Sequence, residues 1–330
     1  MPYQATSICA AAAILAGCGA LSQVSPSESP EQSGPPLTNA RVAPARHHDD
    51  RPSWIAADAK GMSLLYITDA NNGTVSVFSY PKGELKGTLT GFKEPYGDCT
   101  NKAGAVWIVD DETATITQYA HGGTSPIATL SDSGEYPAGC SVDPSSGDLA
   151  VTNYEGPGGG QGSVSIFKKA KGEPVVYTDS SISRAWFCSY DDSGNLFVDG
   201  DKNGTSGFQL AELPAGSGTF TNISIDQSIT VAGGVQWDGK YVAVAEENEG
   251  PDSVYQFSIS GSTATEVTSS SLTGSKNVHQ FWIDPARKRV IAPSASLGSA
   301  GYWKFPAGGD ATKTLSGLDI PEAVVLSSPR

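Results

Sequence analysis

The stretch Leu64-Leu65-Tyr66-Ile67-Thr68-Asp69 decides the fold, because related stretches return along the chain at a regular spacing. It combines β-branched and aromatic residues and ends in a turn-favouring residue, which is typical of a β-strand. The five related stretches occupy residues 105–110, 148–153, 195–199, 240–245 and 289–293. A second strand follows each copy and ends in a bulky apolar residue. These six residues stand 41 to 48 positions apart and are Phe78, Tyr119, Phe167, Leu213, Phe257 and Phe305.

A third strand follows in several copies, for example at residues 85–90 and 312–315. A period in the forties with about four strands per unit is what the blades of a β-propeller require. The sequence therefore predicts an all-β fold, a six-bladed β-propeller with four-stranded antiparallel blades.

The innermost strand of each blade is expected just before the repeated stretch. Small residues are common there, because inner strands converge on a narrow channel and their backbones approach closely. Five copies stand at residues 95–99, 137–140, 185–188, 233–237 and 278–282. The sixth copy, residues 321–326, follows all the others, so we predict that the C-terminal strand closes the ring against residues 63–90. Residues 53–57 are the competing candidate for that place.

The N-terminal residues predict export. Residues 8–17 are apolar but too few to span a bilayer, which is typical of a signal peptide. They end in Leu15-Ala16-Gly17-Cys18, which resembles the lipobox of bacterial lipoproteins. That resemblance implies that residues 1–18 are a signal peptide and that Cys18 is acylated and anchored at the outer membrane or in the periplasm. The alternative is a secreted protein with a chance cysteine after its cleavage site.

Residues 19–52 are rich in Ser, Pro, Glu and Gln, which predicts a disordered tether before a propeller domain at residues 53–330. The net charge of −14 argues against a nucleic-acid partner and against an anionic membrane surface, since both need clustered Lys and Arg. We therefore expect contact with the membrane only through the lipid anchor, and we also expect a monomer.

The repeat resembles the NHL and SMP-30-type six-bladed propellers, and more narrowly the uncharacterised propeller lipoproteins of Acidobacteria. The segments that carry the resemblance are residues 79–83, 142–153 and 234–240. Lactonases of the SMP-30 type hold a divalent cation in the channel with Glu, Asn and Asp side chains. The resemblance thus implies that a cation-dependent lactonase or hydrolase would use Glu322, Asn277 and either Asp98 or Glu94.

The channel mouth, where loops enter the inner strands, is the expected functional surface, because binding residues often lie on loops held by a rigid scaffold. Aromatic faces with a few charges suit a small molecule, a glycan or a protein. The alternative is that these aromatic side chains pack between blades. The candidate residues are Glu94, Tyr96, Glu135, Tyr136, Arg184, Trp186, Asn277, His279 and Glu322. No catalytic constellation stands out, which favours a binding or scaffold protein over the hydrolase.

Three cysteines, Cys99, Cys140 and Cys188, fall at equivalent places in three consecutive inner strands. In an oxidising compartment one adjacent pair is expected to form a disulfide, which leaves one thiol over. The alternatives are simple packing and a metal site with three thiolates.

A calcium site is a cofactor hypothesis that the sequence offers outside the channel. Asp199, Asp201 and Asn203 place oxygen ligands at alternate positions before Gly204, as in the first half of a calcium loop. The alternative is an ordinary hairpin turn, because the equivalent residues of the first copy form a turn sequence.

Overall fold

The computed structural model describes residues 51–204, 207–247 and 250–329. The predicted signal peptide, Cys18 and nearly all of the predicted tether lie outside this part of the chain. The described residues are all-β apart from three short 3₁₀-helices, Ala57–Gly61, Lys168–Ala170 and Ala295–Leu297. None of the described helices is long and apolar enough to cross a membrane.

The strands are numbered in chain order. The first half of the chain contains β1 (Trp54–Ile55), β2 (Ser63–Asp69), β3 (Thr74–Tyr80), β4 (Leu85–Leu89), β5 (Pro95–Thr100), β6 (Val106–Asp110), β7 (Thr115–Tyr119), β8 (Pro126–Ser131), β9 (Tyr136–Val142), β10 (Leu149–Glu155), β11 (Ser163–Phe167) and β12 (Val175–Tyr177). The second half contains β13 (Ile182–Tyr190), β14 (Leu196–Lys202), β15 (Phe208–Leu213), β16 (Thr221–Ile225), β17 (Ala232–Trp237), β18 (Val242–Glu246), β19 (Asp252–Ser260), β20 (Thr263–Thr273), β21 (Trp282–Asp284), β22 (Arg289–Ser294), β23 (Ser299–Lys304), β24 (Gly309–Asp310), β25 (Lys313–Ser316) and β26 (Pro321–Ser327).

The described strands form five hydrogen-bonded sheets of a β-propeller. Three of them have four strands, in the orders β5-β6-β7-β8, β9-β10-β11-β12 and β21-β22-β23-β25. A fourth has five strands, in the order β26-β2-β3-β4-β1. The fifth has nine, because the antiparallel runs β13 to β16 and β17 to β20 are joined and β24 adds to β20.

The sheet count thus differs from the six separate four-stranded sheets that the sequence predicts. The joint in the nine-stranded sheet is a short parallel ladder between β16 and β20, with only the pairs Ser224↔Thr263 and Ile225↔Ala264. Both strands lie on the outer side of their antiparallel runs, where a strand has unpaired backbone groups. The ladder between β16 and β20 pairs some of those groups. It could not be predicted from the repeat, because the repeat describes strands within one blade and not contacts between blades.

The C-terminal strand closes the ring, as the sequence predicts. β26 pairs antiparallel with β2 through Tyr66↔Val325 and Ile67↔Val324, among others. The competing segment, β1, pairs instead with the outer strand β4 through Trp54↔Thr88. The two ends of the described domain are therefore tied into one sheet, with β26 inside and β1 outside.

The second strand, counted from the channel outwards, is buried on both faces. This explains why its sequence is a continuous apolar stretch. All five residues of β6 and of β18 are buried. Side chains on one face of β6, such as Val106 and Ile108, pack with Leu64 and Tyr66 of β2. On its other face, Trp107 and Val109 pack with Leu149 and Val151 of β10. The core therefore lies between adjacent sheets and fixes the inner strands around the channel.

Candidate functional site

Irregular pairing of the inner strands shapes the channel mouth. The ladder between β5 and β6 shifts register between Pro95 and Asp98, so Tyr96 lies in a bulge. Trp186 lies in a similar irregularity of β13, and Glu322 lies in one of β26. Because a bulge re-aims the side chains next to it, the three residues leave the ordinary alternation of their strands. Equivalent irregularities in three inner strands thus supply the side chains of one surface.

Threonines of the second strands hold these bulges in place. The Thr68 hydroxyl donates to the Tyr96 carbonyl at 2.5 Å and accepts the Ala323 N–H at 2.9 Å. The Thr152 hydroxyl donates to the Trp186 carbonyl at 2.7 Å and accepts the Gly139 N–H at 2.9 Å. Each hydroxyl therefore joins the inner strand of its own sheet to the inner strand of the next.

The carboxylate that ends several repeated stretches positions the loop before the inner strand. Asp110 accepts the backbone N–H groups of Lys93 at 2.7 Å and of Glu94 at 3.3 Å. Asp69 accepts those of Asp319 at 2.9 Å and of Ile320 at 3.2 Å in the loop before Glu322. The aspartate at the end of these repeated stretches therefore fixes the loop that leads into the channel mouth.

A continuous row of rings crosses the mouth, and we call it the aromatic path: Tyr136, Tyr154, Trp186, Tyr96 and His279. Ring centroids are 5.8 Å apart for Tyr136 and Tyr154, 5.0 Å for Tyr154 and Trp186, 6.4 Å for Trp186 and Tyr96, and 6.0 Å for Tyr96 and His279. The last three pairs lie within 24° of parallel. Tyr136 is exposed at one end of the path, whereas the other rings are half-buried.

His279 ends the aromatic path between two carboxylates. Its Nδ1 contacts Glu322 Oε2, and its Nε2 lies 3.3 Å from Glu247 Oε2. Burial alone would lower the pKa of His279, but the charge of Glu322 and the hydrogen bond to Glu247 raise the pKa to about 10. Despite burial, the hydrogen bond and charge of His279 lower the pKa of Glu247. His279 is therefore an imidazolium at neutral pH, with both ring nitrogens acting as donors.

Carboxylates also accompany the middle of the path. The Tyr154 hydroxyl donates to Asp111 Oδ2 at 3.1 Å, and the Trp186 indole N–H donates to Asp201 Oδ1 at 3.1 Å. Burial raises the pKa of Tyr96, and the nearby Glu322 and Glu247 raise it further. The rings are thus fixed by charged partners, which keeps their orientation defined at a half-exposed surface.

A cavity of about 700 Å³ opens beside Trp186 on the same face. Arg184 stands in its wall and donates from Nη2 to Glu155 Oε1 at 3.2 Å. Its Nη1 lies 3.9 Å from Oδ2 of Asp201, the same residue that accepts the Trp186 N–H. The cavity and the aromatic path therefore share a border at Asp201.

The structure brings most of the predicted mouth residues together. Tyr96, Trp186, His279 and Glu322 contact one another in sequence along the path, and Tyr136 joins them through Tyr154. Arg184 pairs with Asp201, which in turn accepts the Trp186 indole N–H. Glu94 is fixed through its backbone to Asp110, and Glu135 accepts the Ser163 hydroxyl at 3.1 Å.

Sequence reasoning missed Tyr154, Glu155 and Glu247. All three lie at or just beyond the end of a second strand, β10 or β18. Because each second strand pairs antiparallel with its inner strand, second strands end on the face where inner strands begin. The first two residues after each repeated stretch were therefore the signal that could have identified them.

The opposite end of the channel is lined by the later residues of the inner strands around a cavity of about 180 Å³. Cys99 and Cys140 form a disulfide there, with Cα atoms 5.7 Å apart, while Cys188 is a buried free thiol. Burial raises the pKa of the Cys188 thiol. Burial also raises the pKa of Asp98, whose Oδ2 has no hydrogen-bond donor among the described residues.

The candidate calcium ligands lie mainly in a strand. Asp199 and Asp201 belong to β14, and Asp199 is fully buried with its Oδ1 accepting the Phe187 N–H at 2.8 Å. The Asn203 side-chain amide donates to the Ser180 carbonyl at 3.0 Å. Each of the three side chains thus has a protein partner, and they do not form a common oxygen cage. Among the described residues, no group of three or more His, Cys, Asp or Glu side chains is placed to hold a metal ion.

The cation ligands implied by the SMP-30 resemblance have separate partners. Glu322 contacts His279, and the Asn277 amide donates to Glu247 at 2.7 Å. Asp98 lines the cavity at the opposite end, where its backbone N–H donates to Gln280 Oε1 at 3.3 Å.

The sequence matches no protein-family model and no curated protein. Its fold is similar to several solved structures. One is the crystal structure of a nidogen/laminin complex, with a TM-score of 0.66 and 10% identity over 80% of this chain and 98% of that chain. Another is a protein of unknown function from Bacteroides caccae, with a TM-score of 0.58 and 13% identity over 81% and 99%. A third is hydrazine synthase of Kuenenia stuttgartiensis, with a TM-score of 0.56 and 14% identity over 80% of each chain.

Proposed function

We propose that this chain is an exported, lipid-anchored binding protein that holds its ligand at the channel mouth, on the aromatic path. The observation that supports this most is the continuous row from exposed Tyr136 to half-buried His279, in which carboxylates hold Tyr154, Trp186 and His279. Aromatic faces with a few placed polar groups are typical of small-molecule and glycan sites.

The state of His279 favours binding over acid–base chemistry. A general base must be unprotonated near the working pH, and its pKa is best close to that pH. His279 has a pKa of about 10 and uses both ring nitrogens on Glu247 and Glu322. Its role in the proposal is to lock the inner end of the path and to bring a fixed positive charge to it.

We also infer that the ring consists of six blades of the NHL or SMP-30 type, each with four main strands, and that β1 and β24 are added at the outer side of two of them. The nine-stranded sheet divides at the two-pair parallel ladder between β16 and β20, because the pairings within β13 to β16 and within β17 to β20 are all antiparallel. The six inner strands β26, β5, β9, β13, β17 and β21 then each begin one blade. Six blades agree with the six copies in the sequence.

The anchor part of the proposal depends on Cys18. Two or more acyl chains hold a protein on a membrane far more firmly than one. The purified full chain from its native host should yield an acylated N-terminal peptide that begins at Cys18, measured by mass spectrometry. The Cys18→Ala chain should appear in the soluble fraction of the cell envelope. A wild-type chain that is soluble and unacylated would refute the anchor without affecting the binding proposal.

The binding part can be tested with Trp186. We would screen the purified full chain against small molecules, short peptides and oligosaccharides by thermal shift and measure affinities of hits by calorimetry. Trp186→Ala should weaken binding at least about tenfold, roughly 1.4 kcal/mol, because aromatic anchors carry much of the energy of such sites. Trp54→Ala is the matched control, since Trp54 is 47% exposed in the outer strand β1. Hits that bind both variants equally would contradict the proposal.

A further inference from the structure

The cavity of about 700 Å³ beside Trp186 has an unusual balance of hydrogen-bonding groups. Four side-chain oxygens in its wall accept no hydrogen bond from any described residue. They are Glu155 Oε2, Gln161 Oε1, Asp201 Oδ2 and Asn203 Oδ1.

The two side-chain amides of the wall donate to backbone carbonyls. The Gln161 amide donates to the carbonyls of Asp179 and Ile182, and the Asn203 amide donates to the Ser180 carbonyl. These contacts turn both amide nitrogens towards the protein backbone. The cavity is therefore rich in acceptors, and a well-matched ligand must bring donors.

The charges of the cavity wall are paired with one another. The Arg184 guanidinium lies between Glu155 and Asp201, at 3.2 Å and 3.9 Å. An anion would be repelled by these two carboxylates, and a cation would compete with the guanidinium that already pairs with them. A neutral ligand with many hydroxyl groups needs neither. Its hydroxyls can donate to the acceptor oxygens of the wall and accept from Arg184.

Two aromatic rings lie beside residues of the cavity wall. Asp201 accepts the Trp186 indole N–H, and Tyr154, the neighbour of Glu155, stacks on Trp186 at 5.0 Å. The volume lies within the roughly 300–1,000 Å³ of typical ligand pockets, so it exceeds what a single small ion needs. Aromatic faces beside paired polar groups suit the C–H faces and hydroxyls of sugar rings.

We propose that this cavity, between the β10–β11 connection and the loop before β17, binds a neutral oligosaccharide. Arg184, Glu155, Asp201, Gln161 and Asn203 contact its hydroxyls, and Trp186 contacts a ring face at the border. The inference rests on the proposed binding function and narrows its ligand to one chemical class.

The experiment uses two matched valines. Val231 lines the cavity and is 43% exposed, whereas Val267 is 46% exposed in β20 and does not line it. Val231→Trp fills part of the cavity from an exposed position, and Val267→Trp adds the same side chain elsewhere. The probes are neutral hexasaccharides of the malto-, cello-, xylo-, manno-, laminari- and chito- series, with spermidine and an oligogalacturonate as the charged counterparts. Affinities of the full chain are measured by calorimetry.

At least one neutral series should bind, with affinity reduced at least about tenfold by Val231→Trp and unchanged by Val267→Trp. Neutral binding that is insensitive to Val231→Trp would overturn the inference. So would binding of only spermidine or only oligogalacturonate. A non-carbohydrate ligand that depends on Trp186 but not on Val231 would overturn the inference and leave the binding function intact. Oligosaccharide binding that depends on Val231 but not on Trp186 would support the cavity and contradict the proposed role of the aromatic path.

Discussion

The two ends of the central channel are built from the same inner strands but differ in geometry and chemistry. At the mouth, β5 and β13 are bulged and present Tyr96 and Trp186 half-exposed. At the opposite end, β5 pairs regularly with β6, for example Cys99↔Trp107. There it carries the disulfide to Cys140 and the buried carboxylate of Asp98.

The difference separates residues that hold the ring together from residues that are free to bind. Regular pairing keeps side chains alternating between adjacent sheets, so the opposite end carries packing and covalent links. Bulges release individual side chains from that alternation, so the mouth collects aromatic and charged residues. The exception is the clamp of His279 between Glu247 and Glu322, which lies at the mouth and is nevertheless mostly buried.

The clamp of His279 between Glu247 and Glu322 gives the largest expected effect on stability. Glu322→Gln removes one of the two carboxylates that hold the imidazolium, and breaking a buried ion pair on one side typically costs about 3–5 kcal/mol. We expect a loss of that order in the free energy of unfolding at pH 7, measured by denaturant titration. Glu173→Gln, at an exposed position, is the control and should change stability by less than about 0.5 kcal/mol. A Glu322→Gln variant as stable as the control would show that the mouth contains no structural clamp.

The clamp also predicts a pH dependence. The pKa of His279 is raised from 6.5 to about 10 on folding, so the folded state holds this proton more tightly than the unfolded chain. The resulting stability is complete below pH 6.5 and is lost as the pH rises through about 10. The stability advantage of the wild type over His279→Gln should therefore shrink between pH 7 and pH 10.5. An advantage that is constant over this range would contradict the protonated state.

The Cys99–Cys140 disulfide, at the end of the channel opposite the mouth, gives the next largest effect on stability. It joins residues 41 positions apart, and replacing both cysteines in Cys99→Ala/Cys140→Ala should cost about 2–4 kcal/mol. Ligand affinity at the mouth should not change, because the bulges of Tyr96 and Trp186 do not include these residues. Cys188→Ala, which breaks no link, should cost about 1 kcal/mol. A double variant that loses affinity while keeping its stability would reverse the assignment of the two ends.

The smallest expected effect is a gain in stability, at Asp98, whereas the changes above lower stability. Burial raises the pKa of Asp98, and its Oδ2 lacks a donor among the described residues, so a charge there opposes folding at neutral pH. Asp98→Asn should stabilise the protein by about 1 kcal/mol at pH 7. The gain should disappear at acidic pH, where the carboxyl of the unfolded chain is protonated as well. Destabilisation at pH 7 would show that the carboxylate has a favourable partner in the channel.

Much of the candidate site was accessible from the sequence, because it follows from position within a repeat. Tyr96, Trp186, His279 and Glu322 occupy matching places before the repeated stretches, and the structure places them side by side. The contact of Glu247 with His279 could not be predicted in the same way, since Glu247 follows a second strand and lies more than 30 residues before His279 in the chain. Tyr154 was missed for a similar reason, because its stacking on Trp186 joins two different sheets.

The sequence by itself determined the all-β class, the six copies of the repeat and the closure of the ring by residues 321–326. These follow from strand periodicity and turn residues, which are local properties of the chain. Only the tertiary structure decided that Cys140 pairs with Cys99 rather than Cys188, that β16 meets β20, and that His279 lies between two carboxylates. Such contacts depend on how neighbouring sheets pack. The residues along one strand do not specify the distance between two sheets.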